Sequence, residues 1–486
     1  MEYLKLHRER QEQNRAAFGP DYRSDLDLIF CAPDGQLLKP DSVSSAARDI
    51  AVTAGLKASL HTLRHSHASA LLAAGVPIAN VSKRWGHRDA YTTAKIYQHA
   101  LPDTDQTEID EVAAAIASGW ITTGPRTRRF ESEFAAYLGV RHAVAVNSCT
   151  AAMHLALEAI ELKPGDEVVT SPLTFAATAE VVRYFDARPV FADIDPATLN
   201  LDPRKAEAAL TPRTRAILPV HFGGLPADLD ALGRIAAGRG LRLIEDAAHA
   251  LPARYGGRLI GGGDVTCFSF YATKTLTTGE GGMICTDDDA VAERCRVMSL
   301  HGISHDAWKR YTAEGSWYYE IVAPGFKYNL TDLAAAIGIH QLARAEAMRR
   351  EREAVARELL EALAEVDEVE LPSTDENRIH SWHLFPIRLR LERLGMDRNT
   401  VMDELKARGV GCSVHWRPLH LHPYYEETFG WRAEQLPTAT RTWERLISLP
   451  IFPGMLPAEI RHVIETVKDL CRLNRPTASP AAAARS

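Results

Sequence analysis

Lys274 stands in the run Phe268-Ser269-Phe270-Tyr271-Ala272-Thr273-Lys274, and Thr278-Gly279-Glu280-Gly281-Gly282 follows closely. An isolated lysine is usually solvated surface charge. Here residues 264–270 and 281–286 read as strands, so Lys274 falls on the turn between them, beside glycines that let backbone approach a ligand. An amine held in that setting can form a Schiff base with an aldehyde cofactor. Asp246 comes just after the apolar run 241–244, which places a carboxylate at the carboxyl end of a strand, where open parallel sheets bind ligands. An aspartate there is otherwise a helix cap. The run Asn147-Ser148-Cys149-Thr150-Ala151-Ala152 lies between a strand at 143–146 and a helix, so its free N–H groups and the helix dipole would face an anion. Ser148 or Thr150 can cap the same helix.

These residues need a scaffold, and the surrounding sequence supplies an α/β pattern. Short β-branched runs at 143–146, 167–170, 189–194, 216–220 and 241–245 alternate with helical segments such as 151–158 and 228–237. The alternation predicts a mainly parallel sheet covered by helices on both faces. Residues 333–365 read as one long helical run, and α+β texture around 380–391 and 409–415 would form a smaller C-terminal subdomain. Residues 1–103 read as mainly helical, with a strand-like 26–31, a turn at Asp34-Gly35 and amphipathic stretches at 43–54 and 62–74. The expected division is therefore 1–103, a large domain at 107–345, a small domain at 346–474, and an Ala/Ser/Pro-rich tail at 475–486 that is expected to be disordered.

Composition narrows the class. A chain of 486 residues, 46% of them hydrophobic, exceeds one ordinary domain and can fill large cores. A net charge of -7 argues against nucleic acid as the partner of the whole chain. The seven cysteines are scattered with no C-x-x-C, which points to a reducing compartment and to no structural metal. Residues 1–15 are charged without an apolar core, and no apolar run of about 18 residues occurs, so a cytoplasmic protein without a membrane span is expected.

Around Lys274 the chain resembles the DegT/DnrJ/EryC1/StrS sugar aminotransferases, which carry their cofactor lysine in this kind of F-S-F-x-x-x-K run; the resemblance covers roughly residues 107–472. It implies fold type I of the pyridoxal-phosphate-dependent transferases, aspartate-aminotransferase-like, with a small C-terminal α+β subdomain. The implied cofactor is pyridoxal 5'-phosphate. By resemblance Lys274 holds it and shuttles the proton, Asp246 pairs with the pyridine nitrogen, His249 lies near the ring or its phenolic oxygen, and Phe175 stacks on the outer ring face. The backbone of Cys149 and Thr150, with Ser269, would take the phosphate, although many relatives have glycine where Cys149 stands. On residue type alone His249 is a core or surface histidine, and Phe175 is core.

The resemblance also implies a homodimer with shared active sites. Gly325-Phe326-Lys327-Tyr328-Asn329-Leu330-Thr331-Asp332 is similar to the segment that reaches the neighbour's cofactor phosphate, where Lys327 would act unless it is a surface lysine. Gly119-Trp120-Ile121-Thr122-Thr123-Gly124-Pro125 and Ser413-Val414-His415-Trp416-Arg417-Pro418-Leu419-His420 resemble segments that frame a sugar nucleotide; Arg417 is a diphosphate partner or a surface arginine. The implied reaction is ping-pong transfer from an amino-acid donor such as glutamate to a keto sugar of a nucleotide-sugar. A dehydratase branch of the family replaces the lysine by histidine, and Lys274 argues for transamination.

The first hundred residues carry a different set. His61-Thr62-Leu63-Arg64-His65, then Gly86-His87, then Tyr97 is similar in order and spacing to the C-terminal half of the tyrosine recombinases, the phage-integrase family. The resemblance implies Tyr97 as nucleophile on a DNA phosphodiester, with His61, Arg64 and His87 stabilising the phosphate or moving protons. The alternative puts these histidines and the arginine on helix surfaces with Tyr97 half-buried. Another arginine and a hairpin lysine of that family fall upstream of its H-x-x-R motif, before this sequence starts. The expectation is a truncated catalytic-domain fragment with little or no strand cleavage. Residues 1–100 hold 13 Lys+Arg against 10 Asp+Glu, a weak footprint for gripping DNA.

Overall fold

The computed structural model describes residues 2–19, 22, 33, 36, 45, 106–303 and 319–474. The chain divides into two compact units, Met1–Thr107 and Glu108–Ser486. In the first, the helix Glu2–Phe18 is followed by Gly19 at φ 52°, and the Arg15 guanidinium lies 5.4 Å from the centre of the Tyr22 ring. The strand expected at 26–31, the helix expected at 62–74, and His61, Arg64, His87 and Tyr97 all lie outside the described residues, as does the tail at 475–486.

The second unit is built on a seven-stranded sheet. Its strands are β1 (His142–Val146), β2 (Glu167–Thr170), β3 (Arg188–Phe191), β4 (Thr214–Leu218), β5 (Arg242–Asp246), β8 (Val265–Ser269) and β9 (Gly282–Thr286); β6 (Arg254–Tyr255) and β7 (Arg258–Leu259) form a hairpin outside it. The order is β1-β9-β8-β5-β4-β2-β3, and β9 alone runs against the others, since it pairs antiparallel with both β1 and β8.

Alternation along the strands sends side chains to two separate cores. Val144, Val146, Cys267 and Ile284 pack on one face with the helices Cys149–Ala159 and Asp289–Ser299. Ala143, Ala145, Phe268 and Met283 pack on the other face with Phe130 and Phe134 of the helix Pro125–Leu138. Burying each of those two phenylalanines fully is worth about 2–3 kcal/mol.

The helix Asp332–Leu363 then leaves the large core and builds a second one: Ala335 and Ile339 belong to the first, Val355, Leu359 and Leu363 to the next. There it meets a sheet of β10 (Val369–Glu370), β12 (Phe385–Leu389) and β13 (Leu446–Leu449) in the order β10-β12-β13, and the helix Pro457–Leu473. A two-residue strand β11 (Arg378–Ile379) joins β6. The strand texture expected at 409–415 is reduced to a single bridge between Ser413 and Ser448. Among the described residues no helix is long and apolar enough to cross a membrane.

Candidate active site

The carboxyl ends of β5 and β8, the loop after β8 and the start of the helix Cys149–Ala159 surround a cavity of about 520 Å³. Lys274, Asp246, His249, Phe175, Cys149, Thr150 and Ser269 all line it. Thus the structure gathers every cofactor-site residue read from the sequence except Lys327.

Lys274 is held by a tight loop. Its N–H donates to the Tyr271 carbonyl at 2.9 Å, and the loop is closed where Phe270 N–H meets the Gly281 carbonyl at 2.8 Å. Gly282 has no room for a side chain, because a Cβ would sit 2.5 Å from the Ser148 carbonyl carbon; β9 therefore starts flush against the turn that precedes the helix. Burial lowers the Lys274 pKa, and Asp246 opposes that shift.

Asp246 ends β5 and is buried. Its Oδ2 accepts from the Thr178 hydroxyl at 2.8 Å, and its Oδ1 accepts from Ala248 N–H at 3.1 Å. Burial raises its pKa; those two donors, Lys274 and His221 pull it back. The backbone is gripped as well, since Asp246 N–H donates to the Pro219 carbonyl and His221 N–H to the Asp246 carbonyl. This leaves the carboxylate fixed in place.

The anion end is equally defined. Ser148 caps the helix Cys149–Ala159, its hydroxyl accepting from Ala151 N–H at 3.1 Å. The N–H groups of Cys149 and Thr150 belong to the first helical turn, where no acceptor exists within the helix. Cys149 itself is helical, and its thiol faces the Cys267 carbonyl at 3.4 Å. Burial raises its pKa, which makes it a poor nucleophile. Ser269 ends β8 on the same wall.

Two aromatic walls complete the cavity. Phe175 is 57% exposed, unlike a core phenylalanine, and its ring centre lies 6.1 Å from that of Trp416. His249 stacks on Trp416 at 5.1 Å and 19°, and burial drives its pKa well below the usual histidine range.

Residues 119–125 and Arg417 do not line this cavity, and neither does Lys327, which is expected at the neighbour's. Lys327 is exposed, and its Nζ donates to Asn329 Oδ1 at 2.6 Å. Residues 119–125 are tied instead to buried Asp332, whose carboxylate accepts from Gly124 N–H, Arg126 N–H, and the N–H and hydroxyl of Thr127. Arg417 donates to the Leu421 carbonyl at 2.6 Å and lies over the Trp443 ring, whereas its neighbours His415 and Trp416 do reach the cavity. Sequence reasoning gave no role to Thr178 or His383. The signal for Thr178 was a hydroxyl four residues after Thr174, with which it is hydrogen-bonded at 2.7 Å.

Fold and site together define a fold type I, pyridoxal-phosphate-dependent transferase. The family model described as the DegT/DnrJ/EryC1/StrS aminotransferase family matches residues 102–468, and the chain belongs to that family. Residues 5–103 match the phage integrase family, the resemblance read from the first hundred residues. A spore coat polysaccharide biosynthesis protein, SpsC of Bacillus subtilis, is 48% identical over 376 residues, 77% of this chain and 97% of its own. Among solved structures, the putative sugar aminotransferase Spr1654 from Streptococcus pneumoniae in its PLP form is 31% identical with a TM-score of 0.70, over 76% of this chain and 96% of that one. DesI in the presence of its TDP-sugar product is 33% identical with a TM-score of 0.67, over 76% and 90%.

Proposed function

We propose that this aminotransferase moves an amino group from an amino-acid donor, glutamate being the expected one, to the ketone of a nucleotide-linked keto sugar. The carrying observation is half-buried Lys274 in one cavity with buried Asp246 and the N-terminus of the helix Cys149–Ala159. That spacing of amine, carboxylate and anion cup fits pyridoxal phosphate. Asp246 would hold the ring nitrogen, the N–H groups of Cys149 and Thr150 with Ser269 the phosphate, and Phe175 the outer face. When bound, the cofactor supplies an aldehyde for the amino group and a ring that takes up the electron pair of the reacting carbon.

The chain's own groups do the rest. Burial makes the Lys274 amine easier to deprotonate, so its Nζ can take the proton from the donor's α-carbon and return one to the other carbon. Asp246 keeps the ring nitrogen protonated by charge pairing. The TDP-sugar product of DesI and the polysaccharide role in the name of SpsC support a sugar nucleotide as acceptor. A homodimer in which Lys327 serves the neighbour's phosphate is part of the same proposal. The test loads the protein with pyridoxamine phosphate and offers a panel of keto-sugar nucleotides. Return of the aldehyde chromophore with an aminated sugar supports the reading, and turnover with simple keto acids alone overturns it.

For residues 5–103 we propose a segment without strand-cleaving activity, on the near balance of charge in residues 1–100. A covalent adduct between Tyr97 and a nicked suicide DNA substrate would overturn it.

A further inference from the structure

Two histidines in the cavity each carry an unmatched nitrogen. His249 and His383 are buried, their ring centres lie 4.4 Å apart, and each Nδ1 is sealed from solvent without a hydrogen-bond partner. A neutral imidazole has one N–H and one bare nitrogen. Buried N–H groups without partners are the rarer case in proteins, so the proton belongs on Nε2, the nitrogen left for the cavity. Double protonation is opposed by burial and by Lys274, both of which lower the pKa of each ring.

The two rings have different tasks available. His249 follows Asp246 by three residues and is the expected neighbour of the cofactor ring. His383 comes from the small domain, just before β12, and of residues 380–384 it alone lines the cavity. Its segment is rigidly mounted. Ser381 N–H donates to the Gly224 carbonyl at 3.1 Å, Leu384 N–H to the Gly223 carbonyl at 3.0 Å, and the Ser381 hydroxyl to the His249 carbonyl at 2.6 Å. Gly224 is obligatory, since a Cβ there would lie 1.9 Å from Ser381 Oγ. Trp382 is held at φ 52°, a left-handed backbone angle that a bulky residue adopts only when its surroundings impose it. Such mounting is what a directional contact requires.

We infer that His383 is a neutral donor whose Nε2–H is given to a hydroxyl or carbonyl oxygen of the keto sugar, a specificity contact for the second half-reaction. The inference rests on the substrate reading above. Its test has two arms. In nitrogen NMR of the cofactor-loaded, histidine-labelled full chain, assigned with His383→Gln, the His383 signals should report a neutral ring protonated on Nε2 at neutral pH. A proton on Nδ1, or a cation, overturns the inference.

In the kinetic arm, His383→Phe should raise KM for the keto-sugar nucleotide about tenfold with a much smaller change in kcat, the cost of one lost hydrogen bond. His383→Gln, which places an amide N–H near the same point, should recover most of it. Equal loss in KM and kcat, or no recovery with glutamine, overturns the contact. A wild type that aminates no keto-sugar nucleotide instead overturns the substrate reading, and with it the contact; the NMR arm separates that failure from a wrong tautomer.

Discussion

The Thr178 hydroxyl donates to Asp246 Oδ2 at 2.8 Å, joining the helix Ala177–Arg183 to the last residue of β5. Both residues are buried, so this bond favours the charged form of the carboxylate against the burial that raises its pKa. It also fixes the carboxylate's direction before a cofactor arrives.

Thr178→Val should therefore weaken cofactor binding. A hydrogen bond to a charged group is worth about 1.5–3 kcal/mol, which corresponds to a loss of tenfold or more in affinity. Thr178→Ser should retain most of it. Absorbance titration of the cofactor into each variant checks this, and equal affinity in the valine variant would remove Thr178 from the site.

Lys274→Ala should lower transamination by several powers of ten, because one side chain both tethers the cofactor and moves the proton. Borohydride treatment of the wild type with cofactor should fix the label on Lys274. Peptide mass spectrometry that finds the reduced adduct on another lysine would refute the assignment.

The parts of the site that were legible in the sequence are those carried by local pattern. Residues 167–170 form β2 as read, and the turn between β8 and β9 carries Lys274, because strand periodicity and a glycine cluster are short-range signals. Asp246 was legible for the same reason, as a carboxylate two residues beyond the end of an apolar run. His383 was not, since its place depends on the small domain folding back so that residues 380–384 meet Gly223 and Gly224, more than 150 positions earlier in the chain. Asp332 was quoted only as the end of a motif. Its function as a cap for a helix two hundred residues earlier leaves no local trace.

Asp332 should accordingly be a stability residue. It is fully buried and accepts from three N–H groups and a hydroxyl around the start of the helix Pro125–Leu138, whose own cap position is Gly124 and offers no side chain. Asp332→Ala orphans those donors and should cost about 3 kcal/mol. Urea unfolding of the variant checks the figure, and a midpoint equal to wild type would contradict it.

Acid should unfold the protein through its buried histidines. Burial pushes His154, His415 and His420 down to about 4 and His380 to about 3. In the unfolded chain they titrate near 6.5, so protons bind the unfolded state first as pH falls. Their contribution to stability is thus intact above about pH 6.5 and is lost progressively as the pH drops toward about 4. The urea midpoint should fall across that window. His154→Phe, placed among Phe326, Tyr184 and Phe185, should lose less over the window than wild type; identical slopes would exclude His154 as a contributor.

Deleting residues 1–103 should leave transamination intact. The integrase match ends at residue 103 and the aminotransferase match begins at 102, so the boundary is nearly common to both. SpsC aligns over 97% of its own length while covering 77% of this chain, which means that a relative of nearly full length needs no counterpart of the first hundred residues. Every residue lining the cavity lies beyond Gln106, and the helix Gln106–Ala117 supplies Glu108, which Gln341 of the long helix contacts at 3.3 Å. A truncation starting at residue 104 keeps that contact. A purely stabilising role for the deleted segment predicts a different result: aggregation or a lower melting temperature with normal turnover per folded molecule. Measuring cofactor content, oligomeric state and turnover on the same preparation separates the two. A truncated protein that folds and keeps its oligomeric state, yet neither binds pyridoxal phosphate nor transaminates, would show that the first unit belongs to the working enzyme.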